Sequence, residues 1–236
     1  MGNGLLTRAV SLRALLVVAA LSAVLASAVG FATALGITPQ ALTIFTSADT
    51  VPVTTCTLTT AEADTYAHED SAGSNFGTAT TLHVRSGVRT VLVLTFPDNK
   101  RSFVRFDLAS CSIPSSARVV TAQLKLFLST APTASRTYQA HRVTQSWTET
   151  NLTWDNQPTV AASATASAAS GTTSNVTIEW NVAADVQTFA AGTATNNGWR
   201  VKDLTEDANP AREGRFNSSE HGTATQRPSL VVTYYP

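Results

Sequence analysis

From residue 57 onward, hydrophobic and polar side chains alternate with a period of two, as in strands with one buried face. Thr81-Leu82-His83-Val84-Arg85 alternates, residues 89–96 read as a mostly apolar strand, and Pro97-Asp98-Asn99-Lys100 is a turn cluster. Residues 102–108 place Phe103, Arg105 and Asp107 on one face and Val104, Phe106 and Leu108 on the other. Residues 119–129 turn Ala122, Leu124, Leu126 and Leu128 inward. Further strands are expected over 137–143, 176–182, 198–203 and 230–235. Short strands punctuated by turn signals predict an all-β sandwich or barrel. Two segments break the rhythm. Residues 181–192 carry Val182, Val186 and Phe189 near helical spacing and predict a short helix after Asn181. Residues 161–174, a low-complexity Ala/Ser/Thr run, predict an exposed mobile loop.

The N-terminal quarter has a different pattern. Arg8 and Arg13 precede an unbroken apolar run from Ala14 to about Ile37. The small residues Ala26-Ser27-Ala28 and Ala32-Thr33-Ala34 suit a cleavage site, so residues 1–34 read as a signal peptide. The same run is long enough to be an uncleaved hydrophobic helix anchored in a membrane. Either reading places the remainder outside the cytoplasm, secreted or membrane-anchored, with membrane contact only through this segment. Residues 35–56, bearing Thr, Ser and Pro, read as a linker, and residues 57–236 as one domain.

Formal net charge is zero. A chain without a basic excess lacks the electrostatic footprint of a nucleic-acid partner. The two cysteines, Cys56 and Cys111, permit one disulfide in an exported chain. His68, His83, His141 and His221 are scattered, and no HExxH, GxSxG or Cys–His signature is present, so no enzyme is expected. Trp147 and Trp154 bracket a turn-rich segment and are expected to close the core, with Glu149 capping backbone amides beneath them.

An ordered set of segments then carries a resemblance. It runs Ala63-Asp64-Thr65-Tyr66, Asn75-Phe76-Gly77, Arg101-Ser102-Phe103-Val104-Arg105-Phe106-Asp107-Leu108 and Ile113-Pro114. It continues through Ala122-Gln123-Leu124-Lys125-Leu126, Trp147 to Trp154, Asn197-Gly198-Trp199, Arg215-Phe216-Asn217-Ser218-Ser219-Glu220 and Arg227-Pro228-Ser229-Leu230. In this order the chain resembles the DNRLRE domain family, a family 96-like carbohydrate-binding module related to the disaggregatase repeats, over about residues 57–236. The resemblance implies a jelly-roll β-sandwich of two antiparallel sheets, without catalytic residues, at the bacterial surface or secreted. Some members bind acidic polysaccharide such as alginate. The single copy here, with no enzyme domain beside it, departs from the common fused arrangement.

Two sets of candidate residues follow. His83, Arg85, Lys100, Arg101 and Arg105 are the expected carbohydrate-binding groups, because a uronate polymer would offer carboxylates to the densest basic stretch. Asp64, Asp70, Asn75 and Glu220 are the expected oxygen ligands of a structural calcium, converging if the first and last strands are neighbours. The resemblance makes that calcium the expected cofactor and polysaccharide the expected partner. The other expectation is a structural surface or stalk module making protein–protein contacts.

Overall fold

The computed structural model describes residues 52–236, which form a compact unit of their own. The signal-or-anchor segment and most of the linker lie outside these residues. Among the described residues no helix is long and apolar enough to cross a membrane.

Thirteen strands form in chain order: β1 (Thr54–Leu58), β2 (Ala63–His68), β3 (Thr81–Ser86), β4 (Val88–Val91), β5 (Leu94–Pro97), β6 (Lys100–Arg105), β7 (Arg118–Thr130), β8 (Thr137–Arg142), β9 (Ala166–Ala169), β10 (Val176–Asn181), β11 (Trp199–Asp203), β12 (Arg212–Asn217) and β13 (Ser229–Tyr235). Among the described residues the one α-helix, α1, is Ala183–Ala190. Eleven strands join one antiparallel sheet in the order β1-β13-β7-β12-β3-β6-β11-β8-β9, with β10 on the other edge of β7 and β2 on the other edge of β6. Only β4 and β5 stand apart, as a two-stranded hairpin.

The sheet curls because β7 is long enough to serve two sets of partners on one edge. Its first part pairs with β13, and its last residues pair with β12 across a register shift. The predicted inward set of β7, Ala122, Leu124, Leu126 and Leu128, is fully buried. It packs in one core with Leu82 and Val84 of β3, Tyr138 of β8, Trp180 of β10, Trp199 and Val201 of β11, and Phe216 of β12. Each such side chain contributes about 1.5–3 kcal/mol on burial, so the core is the main source of the domain's stability. The indole N–H groups are satisfied inside it: Trp180 donates to the Tyr138 carbonyl and Trp199 to Asp185 Oδ2 on α1. The helix starts where expected, with Asn181 Oδ1 accepting the Ala183 amide.

A second, smaller core lies on the other face of β2 and β6. There Ala63, Ala67 and Phe103 meet Val143, Trp147 and Leu152, with Trp154 partly buried against them. Trp147 is therefore a closing core residue, and its indole donates to the Asn197 carbonyl. Gly198, at φ +74°, lies so close to β6 that a Cβ would sit 2.1 Å from the Val104 carbonyl oxygen.

Several expectations need correction. Cys56, expected at the end of the linker, lies within β1, so the linker ends at least three residues earlier than expected. Cys56 and Cys111 do form the expected disulfide, tying β1 to the short 3-10 turn after β6. Residues 161–174 are not all loop: Ala166–Ala169 pairs with β8 as β9, because small side chains do not prevent a backbone ladder on a free sheet edge. Residues 89–96 are not one strand but the β4–β5 hairpin, turning at Leu92 and Val93. Finally, β12 supplies a strand that the period-two reading omitted.

Candidate functional site

Asp64 sits on β2 opposite Val104. Its side chain is only 1 % exposed. Its Oδ2 accepts the Ser219 amide at 2.8 Å, while its Oδ1 is buried without any hydrogen-bond partner. Two further carboxylates complete the cluster. Glu149 arrives from the loop after β8 and accepts the Asp64 amide on Oε1 at 2.9 Å. Glu220 follows β12 and accepts the Ser219 hydroxyl. One oxygen from each of Asp64, Glu149 and Glu220 lies within 4.8 Å of the others.

Local packing fixes Glu149. The Asn75 side-chain amide donates to the Glu149 carbonyl at 2.7 Å and the Leu152 carbonyl at 2.8 Å. At Gly77 an added Cβ would sit 2.6 Å from the Glu149 carbonyl oxygen, so only glycine lets the two loops meet. Burial, then the charge of Glu220, pushes the Asp64 carboxyl up to about 7, against the Ser219 hydrogen bonds. Burial raises the Glu149 carboxyl as well.

The structure thus brings Asp64 and Glu220 together across 155 intervening positions of sequence separation. It does not add Asp70 or Asn75 to them. Asp70 pairs with Arg89 on the β4 hairpin, and Asn75 holds the Glu149 loop from behind. Glu149, read from the sequence as a cap for backbone amides, does cap Asp64. Its membership of the acidic cluster was not legible, because the contact spans 85 positions.

The five expected basic residues separate onto the two faces of β6. His83, Arg85 and Lys100 surround Glu213. His83 Nδ1 lies 2.5 Å from Glu213 Oε1, Arg85 Nη1 is 3.1 Å from Oε2, and Lys100 Nζ is 3.1 Å from Oε1. Arg85 also pairs with Asp98. Burial raises the Glu213 carboxyl, but the His83 hydrogen bond and Lys100 outweigh it and hold the group well below the usual carboxylate range. Burial keeps His83 neutral by lowering its imidazole. Its Nδ1–H then donates to Glu213, and its Nε2 accepts from the Thr81 hydroxyl.

Arg101 and Arg105 lie on the opposite face. Arg105 pairs with Glu62 and stands over Trp147, whereas Arg101 stacks 4.3 Å over Trp154 and forms a two-point pair with Glu206. The cross-strand register sets Arg200 beside Phe103 on one side and His141 on the other, and Lys202 beside Gln139. Arg101, Arg200 and Lys202 therefore share one strip with His141, Gln139 and Gln157, and Glu206 is the carboxylate that pairs with Arg101 and Lys202. The Arg200 Nε is buried without a hydrogen-bond partner. Burial, with Arg101 adding to it, pulls the Arg200 guanidinium down to about 10. Alternation within β11 puts Arg200 and Lys202 on one face, and only the register shows that Arg101 joins them. Beside the Trp147 loop lies a cleft of about 290 Å³ lined by Ser146, Trp147, Thr148, Asn151, Leu152 and Asn156.

Residues 55–234 match the family model of carbohydrate-binding module family 96. No curated protein matches the chain.

Proposed function

Since the chain belongs to carbohydrate-binding module family 96, we propose that it is an exported, non-catalytic jelly-roll module whose work is to bind an acidic polysaccharide. The family match over residues 55–234 is the observation that carries this reading. The charge distribution supports the acidic ligand. In a chain of zero net charge, the strip on β6, β11 and β8 holds Arg101, Arg200 and Lys202 around a single carboxylate, Glu206. A uronate carboxylate would relieve that excess, since guanidinium groups meet carboxylates in two-point contacts. The amides of Gln139 and Gln157 offer hydroxyl partners beside it. His83, Arg85 and Lys100 are a poorer subsite, because His83 is hydrogen-bonded to Glu213 and the charges of Arg85 and Lys100 are already matched by Glu213 and Asp98. The non-catalytic reading rests on the same family match, to a carbohydrate-binding module.

Retention of the protein in native gels cast with polyuronates or with neutral glucans tests the reading. Retardation by polyuronate alone supports it. Equal mobility in every gel overturns it.

A second reading, a structural module making protein–protein contacts, is favoured by one observation. The β4–β5 hairpin presents Leu92 at 94 %, Val93 at 89 % and Leu94 at 62 % exposure, a contiguous aliphatic tip.

A further inference from the structure

We infer that Asp64, Glu149 and Glu220 form a binding site for a calcium-sized divalent cation, one that ties β2 to the loops following β8 and β12. Three carboxylates from distant parts of the chain converge with their oxygens within 4.8 Å of one another. Like charges at that separation repel strongly in a partly buried setting unless a cation or a proton stands among them.

The independent observation is the orphaned oxygen of Asp64. A buried carboxylate oxygen without a donor costs more than an ordinary lost hydrogen bond. Its sister oxygen accepts the Ser219 amide, which holds the side chain in place and leaves the other oxygen buried with no protein donor. A bound cation would complete its coordination.

The donor set selects the ion's class. All three ligands are hard carboxylate oxygens, with no sulfur or imidazole among them, which suits calcium or magnesium and not zinc. Calcium binds oxygens at about 2.3–2.6 Å, so ligands on opposite sides stand about 4.6–5.2 Å apart; for magnesium the span is only about 4.0–4.2 Å. Oxygens within 4.8 Å of one another can close on either ion, and calcium's looser geometry and higher coordination number suit ligands carried on three separate segments. The surroundings are also pre-arranged. Asn75 and Gly77 brace Glu149 from one side, and the Ser218 hydroxyl accepts the Glu220 amide on the other. Arg105, whose charge acts on Glu149, is turned to Glu62 and the Trp147 carbonyl.

The site does not depend on the polysaccharide reading, and its test contains no sugar. The full-length chain, stripped with chelator, is titrated with calcium, magnesium or terbium alone. Calcium at a hundredfold excess over its dissociation constant should raise the melting midpoint by about 5–10 °C. Terbium luminescence sensitised through Trp147, two residues from Glu149, should rise and be competed away by calcium. Asp64→Asn disturbs a buried position, so Glu220→Gln is the informative variant. Its side chain is exposed, so the variant should fold; with one carboxylate fewer in the cluster the chelated protein should melt no lower than the wild type, and calcium affinity should fall at least tenfold. Absence of any calcium or terbium response in the wild type overturns the site and leaves a carboxyl cluster sharing a proton. Wild-type calcium affinity in Glu220→Gln overturns the assignment to these residues.

Discussion

Glu149 Oε1 accepts the backbone amide of Asp64 at 2.9 Å, joining the loop after β8 to the second strand of the domain. The contact depends on Gly77, whose missing side chain admits the Glu149 backbone. Gly77→Ala should push the loops apart and destabilise the protein by about 1–3 kcal/mol, the cost of overpacking a tight contact. Thermal melts of the variant measure it. Because Glu149 is displaced as well, the calcium response should weaken in the same protein.

Glu213 provides a pH dependence with a definite sign. Its folded carboxyl lies below its unfolded value, held there by His83 and Lys100. Such a group contributes stability that is present above the unfolded value, about pH 4.3, and lost as pH falls through the folded one. His83, lowered by burial, adds to the same trend: its stabilisation fades as pH falls below about 6.5, where the unfolded imidazole takes up a proton first. Stability should therefore decline on acidification. Glu213→Gln should lose about 2–4 kcal/mol at neutral pH, since it leaves Lys100 and Arg85 with one carboxylate fewer. The variant should also show a flatter stability profile between about pH 5 and 2. Denaturant melts across that range decide it; a parallel pair of curves would show that Glu213 is not the responsible group.

Strand β7 was legible because its four inward aliphatics leave period two no competitor. By contrast, β12 has one large apolar residue, Phe216, among Arg212, Glu213, Gly214 and Arg215, so its burial is visible only once β3 and β7 flank it. The β4–β5 turn at Leu92 and Val93 lacks the Gly, Asn or Asp that announces a hairpin. In the acidic cluster, the expectation that distant strands bring Asp64 and Glu220 together met the geometry, whereas Asp70 and Asn75 were grouped with Asp64 by nearness in sequence. That nearness fails because the chain turns away after β2 and sends Asp70 to Arg89.

The disulfide closes a loop of 55 residues. In the chain-entropy model, a loop of that length is worth about 4 kcal/mol. Cys56→Ser with Cys111→Ser should lower the melting midpoint by roughly 8–16 °C. Calorimetry of the double variant checks this, and reduction of the wild type should reproduce it. Strand β1 should loosen first, because the disulfide holds an outer strand whose sheet pairing is to β13 alone.

The exposed hairpin tip gives the second functional reading its own test. Leu92→Ser with Val93→Ser removes the most prominent aliphatic surface while leaving the core untouched. If the tip mediates contacts between copies, sedimentation should show the wild type associating with concentration and the variant remaining monomeric. A wild type that stays monomeric at every concentration removes self-association as the hairpin's role.

Arg200 and Lys202 should matter more to polysaccharide binding than Arg85 and Lys100. The first pair lies on a strip where three cations meet one paired carboxylate, and Arg200 has a buried nitrogen without a partner. The second pair is already matched to Glu213 and Asp98. Replacing Arg200 and Lys202 with alanine should therefore lower polyuronate affinity by about tenfold to a hundredfold, given roughly 1.5–3 kcal/mol for a charge-assisted contact. Replacing Arg85 should cost stability and leave affinity nearly unchanged. Binding should also weaken with added salt, as exposed charge contacts do. Gel retardation of the two variants side by side decides between the faces: if Arg85→Ala alone abolishes retention while the protein remains folded, the ligand lies on the Glu213 side of the sheet.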